Sequence, residues 1–364
     1  MGEPHGIGIV GLGFIARQYL DTLAGHPGVR IAAVADLDTA RAEAAAAELP
    51  DARALSVGDL ITSPDVHTVL NLTIPAAHAE IALTAIKHNK HVYGEKPLAA
   101  DLKGAREVAD RAAQAGVLLG CAPDTVLGTG LQTARAVLDA GTIGRPLSAV
   151  AMMATPGHER WHPNPDFYYR PGGGPLLDMG PYYLSALVQL LGPIRAVTGA
   201  ASRLRDERVI GSGPRTSERI PVEVQSHVTG VLEHDNGALS TITTSFDAVR
   251  TTAAPIEVHG ETGSLAVPDP NRFDGEVRLF PLGGDDWSPV ETSAGYAGGG
   301  RGLGLVDMLA GPPRASGELA LHVLDAMESL LRSAAEGRRI ELTTTAARPA
   351  PVPYTPAEVW RGKS

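Results

Sequence analysis

A glycine-rich turn near the start of the chain constrains the fold more than any other feature. A short apolar segment typical of a strand leads through this turn into a helical segment, in the stretch GIGIVGLGFIARQYLDTLAG. Gly11, Gly13 and Ala16 form the pattern G-x-G-x-x-A, which permits a tight bend, close approach of the backbone to a pyrophosphate, and packing of the helix on the strand. The free N–H groups of the helix start attract the anion. The pattern predicts a dinucleotide site that includes Phe14 and Ile15, unless the glycines serve only a structural turn.

A second strand predicted from VRIAAVAD ends in Asp36, about twenty residues beyond the glycine pattern. A carboxylate at this distance accepts hydrogen bonds from the ribose hydroxyls of the cofactor, and Leu37 follows it directly. The 2′-phosphate of NADP would face a like charge, so NAD is preferred over NADP. Arg41 is the one residue that could weaken this preference, but we expect it on the exposed face of the next helix.

Strands and helices alternate as far as residue 123, which predicts a parallel sheet with right-handed crossovers. The predicted first domain, residues 1–123, is therefore an α/β, doubly wound Rossmann domain. Ligands of such sheets bind where the strands end. Besides the glycine pattern and Asp36, these ends carry Thr73, Ile74, Pro75, Glu95, Lys96 and Asp124.

Length and charge limit the class of protein. A chain of 364 residues exceeds one ordinary core, and a net charge of −10 disfavours nucleic acid or an anionic membrane as partner. No apolar run reaches the roughly 18 residues of a membrane-spanning helix, and the start lacks the features of a signal peptide. Cys121 is the only cysteine, which excludes an internal disulfide. We expect a two-domain cytoplasmic protein.

Lys96 is a candidate for proton chemistry. It stands in GEKPLA, just after a predicted strand, and is one of only five lysines, whereas residues 104 to 362 contain none. Lysine can release its proton when it is desolvated, whereas arginine cannot. A chain that uses arginine for ordinary positive charge therefore points to a special role for Lys96. The alternative is a surface lysine paired with a neighbouring carboxylate.

The motifs GLGFIA, VAD, TIPAAH, GEKPLA and GGGPLLDMGPYY, in this order, resemble the Gfo/Idh/MocA family of glucose–fructose oxidoreductase and inositol dehydrogenase. The resemblance runs from about residue 6 to about residue 340. It implies a second α/β domain, residues 124–364, with a large open, mostly antiparallel sheet that commonly joins homodimers or homotetramers. It also implies NAD as cofactor, sugars or polyols as substrates, and Lys96 as the catalytic lysine. The residues implied at the nicotinamide half of the site are Thr73, Pro75, His78 and Glu95.

The family's usual motif places a histidine, the acid/base, four residues after an aspartate. This chain has Asp178 but Tyr182 in the histidine position. Side chains four residues apart share one face of a helix. A phenol beside a lysine ammonium and NAD⁺ has its anion favoured, so we predict Lys96, Asp178 and Tyr182 as the catalytic set. The alternative is that Tyr182 only packs and Tyr183 acts instead. No cysteine or histidine stands at metal-ligand spacing around Asp178, so no metal is expected.

A loop rich in aromatic and hydrogen-bonding residues, TPGHERWHPNPDFYYRPGGG, precedes Asp178. Such a loop suits a polyhydroxylated ligand or, alternatively, forms an aromatic plug at the domain junction. We predict substrate contacts from Lys96, Asp124, His158, Trp161, Arg170, Asp178 and Tyr182. Arg301 is a weaker candidate, and His322, in a later amphipathic helix, is expected to be structural.

The leading functional prediction is an NAD-dependent oxidoreductase that transfers a hydride between the nicotinamide and a hydroxyl or keto carbon of a sugar, polyol or glycoside. A second possibility is an NAD-dependent glycoside-cleaving enzyme, which works by transient oxidation at C3 and elimination with no net redox change. A third is a catalytically silent, NAD-binding regulatory protein, which the retained Lys96, Asp178 and Tyr182 argue against.

Overall fold

The computed structural model describes residues 3–362, so the outermost ends of the two predicted domains lie outside the described residues. The chain divides into two compact units. Unit 1 comprises the residues up to Thr129, Ala294–Leu321 and the residues from Pro349 onward, and unit 2 comprises Gly130–Ser293 and His322–Arg348. The segment around residues 294–321 and the tail therefore belong to unit 1, whereas the sequence had placed both in the second domain.

The strands alternate with helices in the first third of the chain and dominate the middle of it. In chain order the strands are β1 (His5–Val10), β2 (Val29–Ala35), β3 (Arg53–Ala54), β4 (Thr68–Asn71), β5 (His91–Gly94), β6 (Leu119–Cys121), β7 (Pro146–Ala154), β8 (Ile194–Ser202), β9 (Glu207–Val209), β10 (Arg219–Pro221), β11 (His227–His234), β12 (Leu239–Ser245), β13 (Ile256–Gly260), β14 (Gly263–Val267), β15 (Arg278–Pro281), β16 (Ser288–Pro289) and β17 (Ile340–Glu341).

The helices are α1 (Ala16–Leu23), α2 (Thr39–Glu48), α3 (Val57–Thr62), α4 (Pro75–Lys87), α5 (Leu102–Ala115), α6 (Thr129–Asp139), α7 (Pro175–Leu191), α8 (Leu303–Ala310), α9 (Gly317–Glu336) and α10 (Ala357–Trp360). Short 3₁₀ turns cover Asp124–Leu127, His158–Arg160 and Asp166–Tyr169. Within residues 3–362, no helix combines the length and the apolar character that crossing a membrane requires.

Unit 1 contains a sheet of six parallel strands in the order β3-β2-β1-β4-β5-β6. This confirms the predicted doubly wound Rossmann sheet. The apolar face of α8 completes its core, since Leu305 and Met308 are fully buried in one cluster with Ile9, Leu70 and Tyr93. That burial is the physical reason why the segment containing α8 folds with unit 1.

Unit 2 contains a sheet of nine strands in the order β16-β15-β14-β13-β7-β12-β11-β8-β17. Neighbouring strands run antiparallel except β7 and β12, which run parallel, so the predicted mostly antiparallel sheet is confirmed. Gly199 of β8 and Gly230 of β11 are paired and face α9. A Cβ atom at Gly199 would lie 2.4 Å from the Leu330 carbonyl oxygen, so glycine lets the backbone of α9 approach the sheet closely.

His322 is fully buried in unit 2, in agreement with its expected structural role. Its Nε2 accepts a hydrogen bond from the Ile194 N–H at 3.0 Å, and its Nδ1 lies 3.1 Å from the Thr344 hydroxyl. Burial lowers the pKa of His322 to about 4, although Asp325 opposes the shift. The neutral imidazole is therefore the form that the folded protein holds.

We predict that His322 makes the protein sensitive to acid. The pKa of His322 in the folded protein lies below its ordinary value. Its contribution to the free energy of unfolding is therefore complete above pH ~6.5 and is lost as the pH falls towards 4. Between pH 7.5 and pH 5 this one residue should lower the free energy of unfolding by about 2 kcal/mol. Urea unfolding at the two pH values should show a smaller pH difference in His322→Gln than in the wild type. Substitution of the exposed His88 by Gln is the control, and an equal pH difference in all three proteins would refute the prediction.

Candidate active site

The loop between β1 and α1 has the shape of a dinucleotide cradle. Gly11 has φ = +93°, and a Cβ atom there would lie 2.8 Å from the Leu72 carbonyl oxygen, so this position requires glycine. Nothing lies within 4 Å of a Cβ atom built at Gly13, which faces open space. Within residues 3–362, no side-chain hydrogen bond caps the start of α1 at Ile15. A helix start that no side chain caps is a position where a pyrophosphate can bind.

Asp36 lies at the end of β2 and is held as an anion. Its carboxylate accepts hydrogen bonds from the N–H groups of Leu12 at 2.8 Å and Asp38 at 2.9 Å. Partial burial acts to raise the pKa of Asp36, but these N–H groups and the Arg41 guanidinium together hold it below its ordinary value. Arg41 is half-exposed, and its guanidinium turns back to within 3.3 Å of Asp36 rather than pointing away from the site.

An open depression of about 610 Å³ adjoins this loop, lined by Leu12, Gly13, Phe14, Arg17, Gln18 and Arg41. Large apolar side chains stand exposed beside three strand ends of unit 1: Phe14 is 91% exposed, Leu37 is 99% exposed and Ile74 is 69% exposed. They follow β1, β2 and β4, whose carboxyl ends share one edge of the sheet. Exposed apolar groups at such an edge fit the rings of a dinucleotide.

The loop after β4 is fixed by internal hydrogen bonds. Thr73 donates its hydroxyl to Asn71 Oδ1 at 2.6 Å. The His78 ring contacts the carbonyl oxygens of Thr73 at 3.0 Å and Pro97 at 2.6 Å, and the side chain is almost fully buried. His78 was expected to line the nicotinamide half of the site. In the structure its ring bridges two loops, so it also holds the loop that carries Thr73 in place. Pro75 is the first residue of α4.

Glu95 orders the backbone that carries Lys96. Its carboxylate accepts a hydrogen bond from the Tyr19 hydroxyl at 2.7 Å and another from the Lys96 N–H at 3.0 Å. Lys96 is half-buried, two residues beyond the end of β5 and at the same edge of the sheet as the glycine cradle. The structure therefore places a lysine of intermediate exposure on a rigid strand exit.

Asp124, a predicted substrate contact, is enclosed within unit 1 and binds backbone groups there. It is fully buried, and one carboxylate oxygen accepts hydrogen bonds from the N–H groups of Gly302 at 2.8 Å and Gly304 at 3.2 Å. Arg301 lies 3.7 Å from the other oxygen. Burial raises the pKa of Asp124, an effect that Arg301 and the two N–H groups oppose. Asp124 thus fixes the start of α8 and has no surface left for a ligand.

In unit 2, Asp178 lies in the first turn of α7 and Tyr182 lies one turn later. The helix runs through Pro181. Tyr182 is 7% exposed and Tyr183 is 4% exposed. Burial and the nearby Asp269 carboxylate raise the pKa of Tyr183, which leaves it a neutral phenol.

The imidazole partner of Asp178 comes from the loop that precedes α7. His158 Nε2 lies 3.1 Å from Asp178 Oδ2, and the two side chains are 12% and 19% exposed. The His158 ring packs against Trp161, Tyr168 and Phe246, with ring centroids 5.3, 4.7 and 4.6 Å away. The sequence pointed to His158 and Asp178 separately, but neither to their pairing nor to Phe246. Nothing in the sequence signals a contact with Phe246, which lies 88 positions further along the chain.

The same loop is anchored by a buried ion pair and presents two exposed side chains. Arg208 lies 3.2 Å from Glu159, which also accepts a hydrogen bond from the Tyr169 hydroxyl. Trp161 and Arg170 are exposed, and the Arg170 guanidinium lies 3.7 Å from Asp166. An aromatic face and a guanidinium on an anchored loop are groups that can bind a hydroxylated ligand.

Comparison with known proteins identifies the family. The model described as "Oxidoreductase family, NAD-binding Rossmann fold" matches residues 5–122, and that of the GFO/IDH/MocA C-terminal domain matches residues 131–266. The chain belongs to the Gfo/Idh/MocA oxidoreductase family. It is accordingly an NAD-dependent oxidoreductase, and its glycine cradle and Asp36 fit that cofactor. Within residues 3–362, no group of three or more His, Cys, Asp or Glu side chains is arranged to hold a metal ion.

Relatives in this family act on sugars and polyols according to their names. A 1,5-anhydro-D-fructose reductase of Ensifer adhaerens is 28% identical over 345 residues, which cover 93% of this chain and 98% of the relative. An inositol 2-dehydrogenase of Ralstonia nicotianae is 37% identical over 145 residues, which cover 39% of this chain and 43% of the relative. The solved levoglucosan dehydrogenase, in complex with NADH and L-sorbose, is 21% identical with a TM-score of 0.80. That match covers 94% of this chain and 100% of the solved one, and it shows a shared fold.

We predict that Asp36→Asn weakens NADH binding about 10- to 100-fold, because a neutral amide loses the charge-assisted hydrogen bonds to the ribose. Binding of NADPH should fall less or rise, since the like charge is removed. Fluorescence titration with both nucleotides measures the two dissociation constants. Substitution of the exposed Asp110 on α5 by Asn is the matched control. Equal loss of NADH and NADPH affinity in Asp36→Asn would contradict the assigned role.

Proposed function

We propose that this protein is an NAD-dependent dehydrogenase or reductase that acts on a secondary hydroxyl or the corresponding keto group of a sugar, polyol or glycoside. The observation that carries this proposal is the shared carboxyl edge of the unit 1 sheet. The glycine cradle, Asp36 and Lys96 all lie at that edge, beyond β1, β2 and β5. A lysine at the same sheet edge as the cofactor cradle is suited to act on the carbon that exchanges hydride.

We assign Lys96 the role of stabilising the substrate oxygen as it loses its proton, because a half-buried ammonium favours developing negative charge. NAD, when bound, supplies the hydride acceptor. Asp178 and Tyr182 are proposed to contact the reacting hydroxyl and its neighbour, as the family resemblance implies. These three residues form the proposed catalytic set.

The proposed substrate class rests on two independent supports. Relatives in the family are named for anhydrofructose, inositol and levoglucosan. In this chain, His158, Trp161 and Arg170 belong to one anchored loop of unit 2, on which Trp161 and Arg170 are exposed. An aromatic face binds the C–H side of a sugar ring while charged groups bind its hydroxyls. The glycoside-cleaving alternative is not favoured, because the relatives are named dehydrogenases and reductases.

We also propose that the protein is a cytoplasmic homodimer or homotetramer assembled through the unit 2 sheet. Val150, Val231 and Leu239 stand exposed on β7, β11 and β12, in adjacent strands of that sheet. An exposed apolar sheet face of this kind is typical of an interface. A monomer in analytical ultracentrifugation at micromolar concentration would exclude it. The lone, buried Cys121 accords with a reducing compartment.

We predict that Lys96→Met lowers kcat/KM for NADH formation about 10³-fold, because the charge that stabilises the substrate oxygen is lost. Affinity for NADH should change little. The assay follows absorbance at 340 nm with NAD⁺ against sugars, inositols and glycosides, and the same wells are assayed for released aglycone. Substitution of the exposed Lys103 by Met is the control. An unchanged rate in Lys96→Met would remove Lys96 from the mechanism, and aglycone release without NADH would overturn the proposed reaction.

A further inference from the structure

We infer that the imidazole of His158, held by Asp178, is the group of unit 2 that accepts the substrate's proton. Tyr182 then contacts the substrate without carrying this proton. The inference rests on the proposed function and adds to it a proton acceptor on a different element from Lys96 and from Tyr182.

The contact with Asp178 fixes which ring nitrogen of His158 is basic. Nε2 lies 3.1 Å from Asp178 Oδ2, and an ionised carboxylate only accepts hydrogen bonds. Nε2 therefore carries the hydrogen, and in the neutral ring the lone pair is on Nδ1. Within residues 3–362, Nδ1 makes no hydrogen bond. A base held by a carboxylate through one nitrogen, with no hydrogen bond on the other, is the arrangement that general-base catalysis uses.

The surroundings of the ring leave Asp178 as its charged partner. Trp161 and Phe246 are apolar neighbours, while Tyr168 on the 3₁₀ turn and His162 in the loop are the titratable groups that face it. Glu159 and Asp247 are both paired with Arg208. The Asp178 carboxylate can therefore balance the charge of an imidazolium in a site that is mostly screened from water.

An imidazole suits this step better than a phenol. A general base works best when its pKa lies near the working pH, and the ordinary values are about 6.5 for imidazole and about 10 for phenol. In the proposed oxidation, the O–H bond breaks and its proton passes to Nδ1. The electron pair left on oxygen forms the C=O bond while the hydride leaves the same carbon for NAD⁺. The products are the ketone, NADH and an imidazolium that releases its proton to solvent.

A second pair of this kind in unit 2 lacks these features. His259 Nε2 lies 3.9 Å from Glu257, and both side chains are more than one-third exposed. Nδ1 of His259 is occupied by the Ser264 hydroxyl at 2.9 Å. His259 therefore provides a matched control. It is a histidine beside a carboxylate, but it is partly exposed and both of its ring nitrogens have a partner.

The first test needs neither NAD nor substrate. In ¹⁵N-histidine-labelled protein, NMR reports which ring nitrogen carries the hydrogen, and the His158 signals are those that disappear in His158→Gln. The inference predicts the Nε2–H tautomer, and it predicts that Asp178→Asn weakens this preference. An Nδ1–H tautomer in the wild type would overturn the inference. This result is independent of whether a sugar is the substrate.

The second test separates proton transfer from positioning. Glutamine at position 158 can still donate a hydrogen bond to Asp178 but cannot accept a proton in catalysis. We expect His158→Gln to lower kcat about 10²- to 10⁴-fold and to abolish the acid limb of the pH–rate profile. Tyr182→Phe should lose less than about 10-fold and keep that limb, and His259→Gln should match the wild type. Retention of the limb in His158→Gln, or its loss in Tyr182→Phe, would overturn the inference.

Two controls keep the result interpretable. Thermal unfolding and NADH affinity show whether each variant is folded. If His158→Gln does not fold, Asp178→Asn is tested in its place. We expect the acid limb of its pH–rate profile to shift to a different pH. An acid limb at the same pH as in the wild type would overturn the inference. Failure of the wild type to form NADH from any sugar or polyol would instead refute the proposed function and leave the tautomer result standing.

Discussion

The common direction of the six strands in unit 1 is the constraint on which the cofactor site depends. Because all six run parallel, every strand delivers its following loop to the same edge of the sheet. This brings together a glycine turn, a carboxylate and a lysine that are far apart in sequence. Side chains near the strand ends then hold these loops in place, and Asp36, Glu95 and the buried His78 do so through backbone groups. The chemistry of unit 1 therefore relies on a rigid edge rather than on a flexible loop.

Unit 2 positions the side chains proposed to react in a different way. A helix start presents Asp178, while a loop anchored by the buried Glu159–Arg208 pair presents His158 to it. Breaking a buried ion pair by removing one partner is strongly destabilising, so Arg208 indirectly determines where the His158 ring lies. The position of the imidazole thus depends on strand β9, where Arg208 stands, about fifty residues further along the chain.

The sequence predicted what depends on local pattern. Gly11 and Gly13 carry a turn that few other residues permit, and alternation of strand and helix predicts that the strands run parallel. It failed where a contact joins distant segments. Asp124 was expected at the substrate, but its carboxylate binds N–H groups of Gly302 and Gly304, some 178 and 180 residues away. Leu305 and Met308 are recognisably apolar, yet no pattern tells which of two cores they enter. The His158–Asp178 pair was missed for the same reason.

Hydride transfer itself is the central claim, and one isotope measurement tests it most directly. A sugar, polyol or glycoside on which the protein acts would be supplied with deuterium on the carbon that bears the reacting hydroxyl. The account predicts that the deuterium appears at C4 of the nicotinamide ring, with one reduced cofactor formed for each keto product. Release of an aglycone with the deuterium retained on the sugar and no reduced cofactor would contradict it.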